Sequence, residues 1–131
     1  MTKESQILSY NRLVTRFTQL GPYLRKEKTN EEKFFFDCLS VCVNAEKTPD
    51  TREFWGWWLS LSTTEEGFFY DYQFGKFNTA GDWLTENIPN QDSQQVRETL
   101  SDFYLKLQNF VEEDLNLKIL PAKELNHPKL A

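Results

Sequence analysis

Three carboxylates, Asp37, Glu53 and Asp71, fall in apolar or aromatic stretches that read as neighbouring strands. A pair of them facing across a cleft would suit acid/base work of the glycosidase kind. General-base chemistry would have to rest on such acids, because the single histidine, His127, stands in a polar, proline-containing tail. In-strand acids beside Lys76, Arg52 or solvent more commonly mark the exposed face of a sheet. No glycine-rich phosphate loop, nucleophile motif or metal-ligand cluster accompanies them. The chain is therefore read as a non-enzyme with no catalytic residue, cofactor or metal site. Cys38 and Cys42, four residues apart in a strand, lie roughly 13 Å apart. That is beyond the limit of about 7 Å for a disulfide, so they are read as reduced, structural thiols.

The other chemistry on offer is recognition. Eleven of the twenty aromatic residues lie between Arg52 and Trp83, mostly in the runs Arg52-Glu53-Phe54-Trp55-Gly56-Trp57-Trp58 and Phe68-Phe69-Tyr70-Asp71-Tyr72-Gln73-Phe74-Gly75-Lys76-Phe77. A domain of 131 residues buries only about two-thirds of its unfolded surface, so some of these rings are expected on a working face. Trp, Tyr and Arg are the types enriched at binding hot spots, and Arg52, Phe54 and Trp57 come close to that set. In a regular strand Phe54 and Trp57 point to opposite faces. They share one surface only if the alternation breaks between them, and Gly56 is the natural place for a bulge.

The elements that must position these residues follow from periodicity. Leu8, Leu13, Val14, Phe17 and Leu20 have helical spacing, with Ser5 as a cap and Gly21-Pro22 as a stop. Three strands are expected at Phe34 to Asn44, Arg52 to Ser62 and Gly67 to Phe77. The links between them are short and turn-rich, so they form an antiparallel meander without room for a crossover helix. Asn78 to Trp83 reads as a loop or helical turn. A long helix begins at Asp92, with Gln95 completing a capping box, and carries Val96, Leu100, Phe103, Leu107 and Phe110 as one apolar stripe. Leu115, Leu117, Ile119 and Leu120 suggest a short edge strand. The expected fold is α+β: a small antiparallel sheet, three strands and an edge strand, packed with an N-terminal helix and a long C-terminal helix. It forms a single domain over 1–131, ordered from about 8 to 122, with a flexible tail at 123–131.

Composition bounds the partners. The net charge of −5 argues against direct nucleic-acid binding, which needs basic surface to neutralise phosphates. Met1-Thr2-Lys3-Glu4-Ser5-Gln6 lacks the apolar core of a signal peptide, and no run approaches the roughly 18 apolar residues of a membrane span. A cytoplasmic, monomeric chain without a membrane partner is the default expectation, since the long helix's stripe suits a sheet better than a dimeric coiled coil. A small-ligand carrier, with a pocket lined by the aromatic faces under the long helix, is the alternative to a protein-interaction module.

Several blocks carry a resemblance: Leu20-Gly21-Pro22-Tyr23, Phe34-Phe35-Phe36-Asp37-Cys38-Leu39, Val41-Cys42-Val43-Asn44, Arg52-Glu53-Phe54-Trp55-Gly56-Trp57-Trp58, Tyr72-Gln73-Phe74-Gly75 with Phe77, and Ala80-Gly81-Asp82-Trp83. In this order they resemble the Crl family of sigma factor-binding proteins, from about Arg12 to Ala122. The resemblance implies a transcription activator that is not an enzyme. It binds sigma S through domain 2 and favours assembly of that sigma factor with core RNA polymerase. By motif position it implies sigma contacts at Tyr23, Phe54, Trp57 and Trp83, a cation for sigma's acidic residues at Arg52, and contact with core polymerase at Pro22 and Arg25.

Overall fold

The computed structural model describes residues 9–130. Helix α1 (Tyr10–Gln19) is capped by Ser9, whose hydroxyl accepts the Arg12 amide at 3.3 Å. Ser5 and Leu8, expected as cap and first apolar residue, lie outside the described residues. The helix buries Phe17 completely against Phe34, Phe36, Phe68 and Phe110, with ring centroids 4.9 to 5.9 Å apart in edge-on geometry.

Strands β1 (Lys33–Cys42), β2 (Phe54–Thr63) and β3 (Gly67–Phe77) form the expected antiparallel meander, with β2 in the centre. Two shorter strands complete a five-stranded sheet: β4 (Trp83–Leu84) antiparallel to β3, and β5 (Lys118–Pro121) parallel to it. The edge strand is thus present, but the purely antiparallel sheet is corrected to a mixed one. The crossover that a parallel pair needs is the long helix itself, which carries the chain from one end of the sheet to the other before β5 begins. Trp83, expected in a loop or helical turn, sits in a strand paired with Phe77. Gly67 makes the β5 junction feasible: its φ is 151°, and a Cβ there would come within 2.0 Å of the Lys118 carbonyl oxygen.

Helix α2 (Asn90–Asn109) starts two residues before the expected Asp92. Pro89 sets this start: its fixed φ suits the end of the loop, and its carbonyl accepts the amides of Asp92 and Ser93 at 2.9 and 3.0 Å, so no side-chain capping box is used. The predicted stripe of Val96, Leu100, Phe103, Leu107 and Phe110 is buried on one face of the sheet. A π-helical turn at Phe110–Asp114 ends the helix, with the Leu115 amide reaching back to Phe110 at 3.1 Å. It also turns Val111 and Leu115 into the core. Asn116, at φ 54°, then swings the chain into β5.

The register decides which rings meet that helix. Cys38, Trp57 and Phe74 stand opposite one another across three strands, as do Phe36, Leu59 and Tyr72, and Phe34, Leu61 and Tyr70. These rows share the face under α2. Trp57 is 0% exposed, stacks on Phe103 at 5.5 Å, and donates its indole N–H to Thr99 Oγ1 at 2.9 Å. The surface placement of Trp57 is therefore corrected: it is a core residue. Pairing of β2 with β3 is unbroken from Phe54 to Thr63, so the break expected at Gly56 does not occur there. The irregularity lies on β1 between Leu39 and Val41, facing Gly56 and Trp55. Phe54 and Trp57 consequently stay on opposite faces, and Trp58 turns to the face away from α2.

The C-terminal residues, expected to be flexible, pack against the sheet. The Ala122 amide donates to Tyr70 O at 2.8 Å, Tyr72 Oη to Pro128 O at 2.5 Å, and the Leu130 amide to Tyr70 Oη at 2.8 Å. Two hydroxyls on the buried row of β3 supply the anchor that no apolar pattern announces.

Two outcomes are expected. Trp57→Ala should lower unfolding stability by about 3–5 kcal/mol in denaturant titration, the cost of removing a large core aromatic, whereas a surface tryptophan would leave it nearly unchanged. Burial raises the Cys38 thiol above its ordinary 9.0 and the phenols of Tyr23, Tyr70, Tyr72 and Tyr104 above their ordinary 10.0, so above about pH 9 the folded chain holds protons that the unfolded chain has released. Stability should be level below that pH and fall as pH rises through it. Alkaline melts with an unchanged midpoint would contradict this burial.

Candidate functional site

The face of the sheet away from α2 starts as an ordinary strand alternation and ends as an aromatic platform. Phe54, Gly56 and Trp58 of β2 point to it, as do Phe77 of β3 and Asp37 of β1, by the same registers that send Trp57 inward. β4 brings Trp83 back over this face, its ring 4.9 Å from Trp58 and 5.2 Å from Phe77. Gly56 makes room for it: a Cβ there would lie 2.9 Å from Trp83 Cη2 and 1.9 Å from the Cys38 carbonyl oxygen. Phe54, Trp58, Phe77 and Trp83 all remain partly exposed.

Asp37 holds this arrangement. It is 2% exposed, and a buried carboxylate must be paired and hydrogen-bonded to remain charged. The Arg25 guanidinium donates through Nε to Oδ1, and the Trp83 indole N–H donates to Oδ2 at 2.8 Å. Arg25 reaches it because Tyr23–Arg25 runs along the free edge of β1. The Arg25 amide donates to Phe35 O at 2.8 Å, the Asp37 amide donates to Tyr23 O at 2.9 Å, and Leu24 bridges Phe36. Sequence reading weighed Asp37 as a general acid or base and favoured a place on the exposed face of the sheet, which its burial corrects. Its signal was the setting, a lone acid inside Phe34-Phe35-Phe36-Asp37-Cys38-Leu39, where apolar neighbours on both sides imply burial and hence partners.

The remaining site residues divide between two faces. Tyr23 lies at the β1 edge on the helix side, 5.4 Å from Trp57 and 5.1 Å from Phe103 by ring centroid. Burial raises its phenol, with Cys38 and Asp102 adding to the effect. Burial likewise raises the Cys38 thiol, which leaves it protonated and unreactive at neutral pH. Pro22 is exposed beside Tyr23, and Arg25 is partly exposed. Arg52, expected to present its cation outward, folds onto its own loop: Nε donates to Lys47 O and Nη2 to Ala45 O, each at 3.0 Å. Its charge stays at the surface with N–H groups to spare, but its position is fixed by residues 45–51. The structure thus gathers Phe54, Trp83, Arg25 and Asp37 around one platform, adds the unforeseen Trp58 and Phe77, sets Tyr23 at its edge, and separates Trp57 from it. Glu53 pairs with Lys76 at 3.8 Å, and Asp71 stands across from Ser60 on the outer face. No two of the three acids first considered are held together by these contacts.

Arg25→Ala leaves the buried Asp37 carboxylate to the Trp83 indole. Since the Arg25 side chain is 36% exposed and water can replace part of its charge, the expected loss is about 1–2 kcal/mol, below the 3–5 of a fully buried pair. Asp37→Ala, which also releases Trp83, should cost more and shift the tryptophan emission. Equal, negligible effects in chemical denaturation would mean that the carboxylate does not organise the platform.

Among the described residues no helix is long and apolar enough to cross a membrane. Residues 1–129 match the family model described as sigma factor-binding transcriptional regulator Crl. The chain is 45% identical over 130 residues to a sigma factor-binding protein Crl of Photobacterium profundum, covering 99% of this chain and 98% of that protein. It is 42% identical over 111 residues to a protein of that name from Vibrio vulnificus, covering 85% and 86%. The figure is 35% over 124 residues for one from Vibrio cholerae, covering 95% and 96%. These are regulators rather than enzymes, and the chain belongs to the Crl family of sigma factor-binding transcriptional regulators.

Proposed function

We propose that this protein binds sigma S through the platform and its edge, and promotes assembly of that sigma factor with core RNA polymerase. The observation that carries the reading is the partly exposed set of Phe54, Trp58, Phe77 and Trp83, with Trp83 already fixed by Asp37 and Gly56. Rings held in place lose little freedom on docking, which is the property of a binding hot spot. Domain 2 of sigma S is the partner surface: Tyr23, Phe54 and Trp83 supply apolar contact, and Arg52, positioned by its loop, meets acidic side chains. Trp57 acts from inside by backing Tyr23. Pro22 and Arg25, on the β1 edge, contact core polymerase. The protein works as a monomer in the cytoplasm, and its acidity suits a factor that touches protein and leaves promoter DNA to its partners.

The mechanism needs no chemistry. A factor that binds the polymerase-competent form of sigma better than other forms raises its population by the ratio of the two affinities. A few-fold shift requires only about 1 kcal/mol of differential binding, within reach of a shallow aromatic surface.

A pull-down with purified sigma S and the housekeeping sigma factor tests the reading. Sigma S should be enriched, and Trp83→Ala should weaken its retention at least tenfold, the loss typical of a hot-spot tryptophan. Arg52→Ala should weaken it less and remove part of its salt dependence. Equal capture of both sigma factors would refute sigma S selectivity, and full retention by Trp83→Ala would refute the platform as the contact.

A further inference from the structure

A second concave region lies where β3, residues 85–88, the first turns of α2 and the tail residues 127–130 meet. It encloses about 620 Å³, within the span of about 300–1,000 Å³ usual for small-ligand clefts. One wall is apolar, with the partly exposed Phe74 and Ile88 at its surface and Tyr72 and Leu100 buried behind them. The mouth is cationic. The Arg97 guanidinium stands 5.9 Å from the centroid of the Phe74 ring, and Lys129 reaches the rim. His127 lies 5.1 Å from the Tyr72 ring and shares a 2.9 Å hydrogen bond with Gln73 Oε1.

The charges at this mouth are unbalanced. Its acid, Glu86, is engaged by Lys76 at 3.4 Å, and among the described residues neither Arg97 nor Lys129 has a carboxylate partner. A chain with a net charge of −5 thus leaves two cations lining one cleft, Arg97 beside the Phe74 ring. The Arg97 charge is felt inside the cleft: burial raises the Tyr72 phenol, and Arg97 acts against that rise.

We propose that this cleft is a binding site for a small aromatic anion, its ring against Phe74 and Ile88 and its carboxylate or phosphate toward Arg97 and Lys129. Guanidinium pairs bidentately with such groups, and the exposed part of the Phe74 ring beside Arg97 offers a planar ring an edge or offset contact. The tail forms the outer wall, held by the Tyr72 hydroxyl's bond to Pro128 O, so ligand entry and tail position are coupled. This site is separate from the aromatic platform and does not depend on the sigma S reading.

The test titrates the full chain with 8-anilinonaphthalene-1-sulfonate, following probe fluorescence and backbone amide shifts together. Saturable binding is expected, with shifts centred on Tyr72, Arg97, His127 and Lys129. Arg97→Glu should weaken it at least tenfold and Lys129→Gln a few-fold, with Lys106→Gln unchanged. Displacement by salicylate identifies a carboxylate-bearing ring, and displacement by adenosine monophosphate a phosphate-bearing one. The proposal is overturned by lack of saturation at millimolar probe, by shifts centred on the Trp83 platform or between Tyr10 and Phe34, or by wild-type binding in Arg97→Glu. If Arg97→Glu does not fold, Lys129→Glu in the tail carries the same test.

Discussion

The uninterrupted alternation of the central strand is the constraint on which the rest of the structure depends. β2 is paired on both sides, and its register with β3 runs without a break from Phe54 to Thr63. A slip of one residue would exchange its two faces. Trp57 would leave Phe103 and its acceptor on Thr99, and Trp58 would be driven under the helix. Because the strand is fixed, one tryptophan of an adjacent pair locks helix to sheet while the next supports a surface. The aromatic excess is thus a consequence of a strand that works on both faces.

Asp37 couples the outer face to the β1 edge. Its carboxylate ties Arg25, on the segment that borders β1, to Trp83, on the strand that folds back from β3. Two segments almost sixty residues apart in sequence are thereby held by one buried charge. Such an arrangement is costly to desolvate and gives directional placement that apolar packing alone would not. The indole N–H has one acceptor, so the ring lies in one orientation over Gly56.

Much of this was legible in the sequence, and the failures have physical causes. The meander, the stripe of α2 and the edge strand follow from periodicity, which reports local burial directly. The parallel sense of β5 did not, because it depends on where the helix delivers the chain and the links within the meander contain no trace of that. Trp57 was misplaced by allowing Gly56 a bulge, whereas the irregularity sits across from it on β1. A glycine opposite a bulge and a glycine within one look alike in a single chain. Trp58 and Phe77 were missed for the same reason: their face is known only once the register is. The tail escaped because its anchors are the hydroxyls of Tyr70 and Tyr72, and polar docking of a strap has no periodic signature.

The parallel pairing of β5 with β3 also bears on how the molecule comes to be made. Residues 118–121 complete a sheet begun near residue 33, and Phe17 of α1 packs on Phe110, so α1 and the segment that follows α2 close over the meander together. Contacts of such sequence separation carry a loop-closure cost that local hairpins do not, and they slow folding relative to a helical protein of equal size. During synthesis the three-strand meander can form early, but its Gly67–Tyr70 edge stays open until Lys118–Pro121 has been made and can pair with it. An open edge of this kind invites pairing with another chain, which makes the C-terminal strand and strap the molecule's own protection against aggregation while it is being made.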